Sequence, residues 1–192
     1  MTTAKKIGND KEPFLTDVKQ LRKLAREHLA NGAVTPNYKG DKKRTIDLLQ
    51  GALATEIVCV LRYTAHSIMA EGIASESVAA EFKEHADDER SHAMLIANRI
   101  DQLGGDPDFD PATLTSRSAT EYAKGDLVAM IKENLVAERI VIEHYRELIR
   151  FFGDNDPTTR VMIEGILSDE EGHASDMHDL LVAREGKPFL PQ

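Results

Sequence analysis

Apolar residues recur at helical spacing along most of the chain, and no segment alternates between apolar and polar with a period of two. This pattern predicts a short helix that starts at Thr16 and ends near Gly32, followed by four long amphipathic helices. Thr16 is the predicted N-cap of the short helix, Asp156 is the N-cap of the last one, with Pro157 at its first position, and the predicted stops include Gly72, Gly153 and Gly186. The four long helices are expected at about 45–71, 75–103, 126–152 and 157–185.

The links between the predicted helices differ in length. Short turns join the first long helix to the second and the third to the fourth, whereas residues 105–119 hold three Asp, two Pro and several Ser or Thr without a helical period. Two hairpins joined by one long connection match a known version of the four-helix bundle. We therefore predict an all-α fold: an up-down four-helix bundle with one crossover over 45–186, a basic arm with a short helix over 1–44, and a tail over 187–192.

Acidic side chains fall on the apolar stripe of every long helix, where a core residue is expected. Buried carboxylates are costly unless they are paired or bind a metal, so four of them require a counter-charge. Two histidines lie on the same stripes, each three residues after a glutamate, so that each pair shares one helix face. The predicted set is Glu56, Glu89, His92, Glu138, Glu170 and His173.

The two halves of the chain repeat this pattern. The sequence DERSHA at 88–93 recurs as DEEGHA at 169–174, and Tyr63 and Tyr145 each follow a stripe glutamate by seven residues. Counting residues from each glutamate to the nearer turn places the two glutamates of each hairpin at nearly one level. One Glu from each of two helices and a Glu-x-x-His pair from each of the other two form the ligand set of dinuclear carboxylate sites.

Other readings of single residues stay open. Tyr63 and Tyr145 are either core aromatics or hydrogen-bond donors to ligand carboxylates. His85, one turn before Glu89, is interpreted as a core histidine with its hydrogen bonds satisfied, although an accessory iron site is the alternative. Glu171 competes with Glu170, but only Glu170 has apolar neighbours at helical spacing.

With both hairpins and both Asp-Glu-x-x-His strings in order, the sequence resembles the ferritin-like di-iron carboxylate superfamily, specifically bacterioferritin-type and Dps-like ferritins, over about Thr45 to Glu185. The resemblance implies that Glu56 and Glu138 are outer ligands, that Glu89 and Glu170 bridge two irons, and that His92 and His173 bind one iron each. It also implies that two aspartates accept hydrogen bonds from these histidines. The aspartates are Asp88 and Asp169.

The function implied by this resemblance is iron oxidation by O2 or H2O2 and iron storage, with two iron ions per chain. Manganese is the alternative metal. Bacterioferritins hold haem on a methionine directly after the first Glu-x-x-His glutamate, and Arg90 stands there, so no haem is expected. The short tail and the N-terminal helix favour a homo-oligomeric shell of 12 subunits over one of 24. A stand-alone di-iron or di-manganese peroxidase, catalase or oxygenase is the alternative function.

Composition and charge indicate the class of protein, its possible partners and its cellular compartment. With 41% hydrophobic and 30% charged residues in 192, the chain has the balance of one globular domain. Residues 1–44 hold 11 Lys or Arg against 5 Asp or Glu, while the remainder holds 13 against 28. The basic arm makes Dps-like DNA protection a further alternative, although a solvated tail is favoured. One cysteine, Cys59, and no apolar leader or membrane span predict a cytoplasmic protein.

Overall fold

The computed structural model describes residues 15–70 and 75–185. The chain divides into two compact units, Met1–Asn37 and Tyr38–Gln192. Within the described residues all regular structure is helical, which confirms the predicted fold class.

The described part of the first unit contains two short helical pieces. Helix α1 spans Val18–Leu24, and a 3-10 turn spans Leu29–Asn31. The side chain of Asp17 caps α1 by accepting hydrogen bonds from the backbone N–H groups of two following residues, so the prediction that Thr16 is the cap was wrong. The predicted single helix is thus divided: α1 ends at Leu24, and His28, with a left-handed backbone conformation and φ of 55°, directly precedes the 3-10 turn. No residue of either piece is buried.

Four long helices form the second unit. They are α2 (Lys42–Met69), α3 (Ser75–Gln102), α5 (Leu127–Phe152) and α6 (Pro157–Glu185). Helix α2 starts three residues earlier than predicted, because the Asp41 carboxylate caps it by accepting from the backbone N–H of Arg44 at 3.0 Å. The predicted stop signals Gly72 and Gly186 lie outside the described residues. Asp126, near which the helix was predicted to start, caps α5, and Gly153 ends it with a positive φ of 46°, as predicted.

The long helices pack as two hairpins, α2 with α3 and α5 with α6, linked by the crossover at 103–126. The crossover contains a short helix, α4 (Leu114–Arg117), that the sequence pattern did not predict. Four residues are too few to show a helical period. Leu114 is buried against Ala54 and Val58 of α2, which holds the connection to the bundle.

The bundle interior contains both apolar clusters and buried polar groups. Phe82, Met130, Ile131 and Met177 form a fully buried cluster with Tyr63. Towards the start of α6 a buried ion pair joins Arg99 Nη2 to Asp156 Oδ1 at 2.8 Å. No helix in the described ranges is long and apolar enough to cross a membrane.

Candidate metal centre

The six residues predicted as metal ligands come together between the four long helices. Glu56 comes from α2, Glu89 and His92 from α3, Glu138 from α5, and Glu170 and His173 from α6. All six are buried, and His173 is the most accessible at 5%. The apolar stripes bring them inward, because each occupies a stripe position of its helix.

Their donor atoms form two overlapping groups, each of which is compact enough to hold one metal ion. The first consists of Glu56, Glu89, His92 and Glu170, and the second of Glu89, Glu138, Glu170 and His173; within each group one ligand atom per residue lies within 4.8 Å of the others. Glu89 and Glu170 belong to both groups. They therefore occupy the position that a bridging carboxylate takes between two ions.

Each histidine directs Nδ1 towards the carboxylates. His92 Nδ1 lies 3.2 Å from Glu170 Oε1, 3.4 Å from Glu89 Oε2 and 3.5 Å from Glu56 Oε2. His173 Nδ1 lies 3.4 Å from Glu170 Oε2 and 3.7 Å from Glu89 Oε1. Ligand atoms about 2.1 Å from a shared ion are separated by roughly 3.0–3.4 Å, so these distances leave room for a metal between the nitrogen and the oxygens.

The other ring nitrogen of each histidine meets an aspartate of the opposite hairpin. His92 Nε2 donates to Asp169 Oδ2 at 3.2 Å, and His173 Nε2 donates to Asp88 Oδ2 at 3.4 Å. A carboxylate only accepts, so each aspartate keeps the proton on Nε2 and orients the ring with Nδ1 facing inward.

The two tyrosines also cross between hairpins. The Tyr63 hydroxyl of α2 donates to Glu138 of α5, and the Tyr145 hydroxyl of α5 donates to Glu56 of α2. Both tyrosines are completely buried. Of the two interpretations left open by the sequence, the structure shows hydrogen-bond donors. Each tyrosine fixes one oxygen of a glutamate and leaves the second oxygen directed at the centre.

Without metal, protons supply the positive charge of the cluster. Burial raises the pKa of Glu56 and Glu138 well above the usual range, and the charges of Glu89 and Glu170 raise it further. Burial lowers the pKa of His92 and His173, but the surrounding carboxylates outweigh it and raise the pKa of His173 to about 11 and that of His92 further. Burial also raises the pKa of Glu89, yet the two imidazoles hold it below its usual value.

Eight buried polar atoms in this cluster make no hydrogen bond. They include one oxygen each of Glu56 and Glu138, both oxygens of Glu89 and Glu170, and Nδ1 of both histidines. An interior polar atom without a partner is costly, and eight of them around one point form a cluster that could hold metal ions. Four carboxylates balance the charge of two divalent cations, so the residues fit a pair of such ions.

Comparison with protein families matches residues 46–185 to the ferritin-like domain. The chain belongs to the ferritin-like family. It is 28% identical over 158 residues to the DNA protection during starvation protein of Pyrococcus furiosus, a match that covers 77% of this chain and 85% of that protein. It is 27% identical over 139 residues to the bacterioferritin of Desulfovibrio desulfuricans, which covers 71% of this chain and 74% of that protein.

Solved structures of ferritin-like proteins superpose on the bundle. The bacterioferritin-related protein of Bacteroides fragilis, described as a dodecameric thioferritin, is 36% identical, with a TM-score of 0.73 and coverage of 80% of this chain and 94% of that one. The D. desulfuricans bacterioferritin, whose structure was determined for its di-iron site in different catalytic states, has a TM-score of 0.66 at 23% identity, covering 76% of this chain and 84% of that one.

Three further side chains that the sequence analysis considered lie outside the ligand cluster of this ferritin-like protein. Glu171, the rival of Glu170, is exposed and pairs with Arg146 at 2.9 Å. Arg90 is exposed and pairs with Asp87 at 2.7 Å. Cys59 is a buried thiol, and burial raises its pKa well above the usual range.

His85 is buried as predicted, but its hydrogen bonds are not satisfied. In the described part of the ferritin-like chain Nδ1 is fully enclosed without a hydrogen-bond partner, while Nε2 lies 3.5 Å from Glu81 Oε1 and 3.6 Å from Asp176 Oδ2. Its ring stacks on that of His173, with centroids 4.0 Å apart. The interpretation as a satisfied core histidine was therefore wrong.

Sequence reasoning missed a buried cation of the ferritin-like bundle that lies next to Tyr63. Arg62 is 1% exposed; its Nε donates to Asn134 Oδ1 at 2.9 Å, and its Nη1 donates to the Glu121 carbonyl at 3.0 Å. Asn134 lies one turn before Glu138 on the stripe of α5, and this polar residue among apolar neighbours was the available signal. The pair ties α2 to both α5 and the crossover.

Proposed function

We propose that this ferritin-like protein oxidises and stores iron, with two Fe(II) ions bound by Glu56, Glu89, His92, Glu138, Glu170 and His173. The observation that carries the proposal is the convergence of these six buried side chains with eight unpartnered donor atoms. The D. desulfuricans relative, described by its di-iron site, supports the choice of iron. Carboxylate oxygens favour Fe(III), while imidazoles hold Fe(II), so the mixed set suits a metal that changes oxidation state.

Each Fe(II) gives up one electron, so the pair supplies the two electrons that reduce H2O2 to water or O2 to peroxide. The chain's own residues prepare the place for this reaction. Asp88 and Asp169 hold the imidazole rings with Nδ1 inward, and the two tyrosines fix Glu138 and Glu56. When metal binds, the protons held on the histidines and on the outer glutamates leave, so the total charge of the buried site changes little.

The arrangement also excludes water. His92 and His173 are at most 5% exposed, and the glutamates are 1% exposed or less. A dry site strengthens each electrostatic contact and limits the escape of partly reduced oxygen species.

The test is stopped-flow oxidation of Fe(II), with O2 and with H2O2, in Glu89→Ala and His173→Ala. Both variants should lose rapid oxidation, because Glu89 belongs to both donor groups and His173 supplies an imidazole. Glu164→Ala and His178→Ala, exposed positions on α6, are the matched controls and should oxidise Fe(II) at the wild-type rate. Wild-type rates in Glu89→Ala and His173→Ala, with folding checked by circular dichroism, would refute the proposal.

We also propose that the protein forms a homo-oligomeric shell of 12 subunits. The 36% identical relative from B. fragilis is described as dodecameric, which favours 12 over 24. Light scattering combined with the number of irons taken up per particle tests this. Iron loading far above two per chain supports storage, whereas two irons per chain in a dimer would instead support a stand-alone oxidoreductase.

DNA protection is the second candidate function, because the P. furiosus relative is named for it and a Synechococcus relative, 28% identical over 151 residues, is named a nutrient stress-induced DNA-binding protein. Binding through a basic arm is electrostatic and weakens steeply with salt. Gel retardation of duplex DNA by the full chain at low salt, lost at high salt, would support it. No retardation at low salt would exclude it.

A further inference from the structure

A second group of potential metal ligands lies beside the dinuclear centre, between α3 and α6. Glu81, His85 and Asp176 each offer one donor atom within 4.8 Å of the others. His85 Nε2 lies 3.5 Å from Glu81 Oε1 and 3.6 Å from Asp176 Oδ2. None of the three is among the six residues that we assign to the dinuclear centre.

The distances resemble metal coordination more closely than hydrogen bonding. A nitrogen and an oxygen in a direct hydrogen bond are about 2.9 Å apart, and neither approach to His85 Nε2 has that length. Two ligand atoms about 2.1 Å from a tetrahedrally coordinated ion are roughly 3.4 Å apart, close to both observed values. An ion placed between the ring nitrogen and the two oxygens would therefore need only small side-chain movements.

His85 is the independent observation that separates this group from an ordinary acidic surface patch. Its side chain is 2% exposed, it makes no hydrogen bond within the described residues, and Nε2 faces the two carboxylates. Nδ1 is enclosed without a partner, and Nε2 has only long approaches to two carboxylates, so the buried imidazole gains little in return for the hydration that it loses. A cation bound at Nε2 would supply one of the missing interactions.

Exposure changes across the group in a way that suits access from solvent. The side chains of Asp176 and Glu81 are 51% and 35% exposed, while His85 is enclosed and its ring stacks on that of His173 at 4.0 Å. The two carboxylates thus meet the solvent, and the histidine lies against a proposed ligand of the dinuclear centre. Two carboxylates and one imidazole suit a divalent cation such as Fe(II), Mn(II), Co(II) or Zn(II), with water in the remaining positions.

We propose that Glu81, His85 and Asp176 form a third divalent-cation site, open to solvent and adjoining the dinuclear centre. Its place as an outer site of that centre rests on the proposed function, whereas its ability to bind a cation does not. The site would hold one ion per chain in addition to the two in the interior.

Co(II) binding to the full, metal-stripped protein tests the proposal, with stoichiometry measured by equilibrium dialysis. The wild type should bind three Co(II) per chain, and Asp176→Asn should bind two, because the exposed Asp176 can lose its charge without disturbing the core. Asp179→Asn is the matched control, since Asp179 is an 84% exposed aspartate on the same helix, and it should bind three. His85→Gln should lose the same ion as Asp176→Asn.

The outcomes separate this proposal from the proposed function. Three Co(II) per chain in both the wild type and Asp176→Asn, or two in the wild type, would overturn the third site and leave the dinuclear centre intact. One Co(II) in the wild type that disappears in Asp176→Asn would support the third site and contradict the dinuclear centre. In Glu89→Ala, which removes a residue common to both interior groups, retention of an ion that a further Asp176→Asn change removes would also support the third site.

Discussion

The buried carboxylates should make the metal-free protein less stable than its fold allows, and Glu138 offers the cleanest place to measure this. Glu138 is completely buried on α5; it accepts a hydrogen bond from Tyr63, and its second oxygen has no partner. Replacing it with glutamine keeps the shape and removes the acid. We expect Glu138→Gln to stabilise the metal-free protein and to weaken the stabilisation that metal confers.

The magnitude follows from the cost of burying an acid. Burial raises the pKa of Glu138 well above its ordinary value of 4.5, so at neutral pH the native state holds a proton that the unfolded chain releases. Stability then falls as pH rises above 4.5, and glutamine, which does not titrate, escapes this loss. While the native state keeps this proton, each pH unit above 4.5 costs about 1.4 kcal/mol, so glutamine gains about 2 kcal/mol at pH 6. About 2 kcal/mol corresponds to a rise of roughly 4–8 °C in Tm for a domain of this size.

With metal present the sign should reverse. An ion at a hundred times its Kd stabilises the fold by about 2.7 kcal/mol, and two such ions by about twice that. Losing a charged ligand should weaken binding of that ion by at least about a hundredfold, which removes about 2.3 kcal/mol or more of that gain. Glu138→Gln should therefore melt above the wild type in chelator and below it in Zn(II).

Differential scanning calorimetry in chelator and in Zn(II) measures both effects. Glu147→Gln is the matched control, because Glu147 is exposed on the same helix, and its Tm should follow the wild type in both conditions. A Glu138→Gln protein that melts below the wild type in chelator, or that gains as much from Zn(II) as the wild type does, would refute the reasoning.

Two further predictions concern the polar groups that support the bundle. Asp156→Ala should destabilise the protein by about 3 kcal/mol in urea unfolding, because it removes the cap of α6 and leaves the buried Arg99 without its carboxylate partner. Burial raises the pKa of Asp156, but hydrogen bonds from Thr159 and Tyr38 and the charge of Arg99 hold that pKa below 3.8. The stability that Asp156 contributes is therefore present above pH 3.8 and is lost as pH falls through the lowered pKa. The difference in unfolding free energy between wild type and variant should narrow in acid, and a constant difference would contradict this account. Tyr63→Phe should lower the free energy of unfolding in chelator by about 1–3 kcal/mol, because it leaves Glu138 without its hydrogen-bond donor. Tyr122→Phe, at an exposed position, is the control, and an equal loss of stability in that variant would refute the prediction.

Much of the bundle could be predicted from sequence because each long helix carries its own signals. Asp126 and Gly153 mark the ends of α5 through local capping, which is written within a few residues of the chain. Helix α4 was missed because its four residues form a helix only where Leu114 packs on α2. The first helix was predicted too long, since α1 ends at Leu24 and the left-handed backbone of His28 prevents a continuous helix to Gly32, which no apolar period reveals.

The candidate site shows the same division. The six predicted ligands were expected to meet because each occupies an apolar-stripe position and the pattern repeats in both halves of the chain. The sequence periodicity could not predict which ligand each tyrosine and aspartate would contact, because these hydrogen bonds cross from one hairpin to the other. The unsatisfied state of His85 was equally hidden, since it depends on the exact reach of Glu81 and Asp176 from two helices.

The crossed hydrogen bonds have a consequence for the origin of the bundle. The first hairpin orients ligands of the second, because Tyr63 and Asp88 form hydrogen bonds with Glu138 and His173. The second hairpin does the same for the first, because Tyr145 and Asp169 form hydrogen bonds with Glu56 and His92. One hairpin alone supplies only three of the six donors and none of the groups that orient them. An ancestral chain of half this length would need to form a homodimer to complete the six-ligand site. Gene duplication followed by fusion would place both hairpins in one chain.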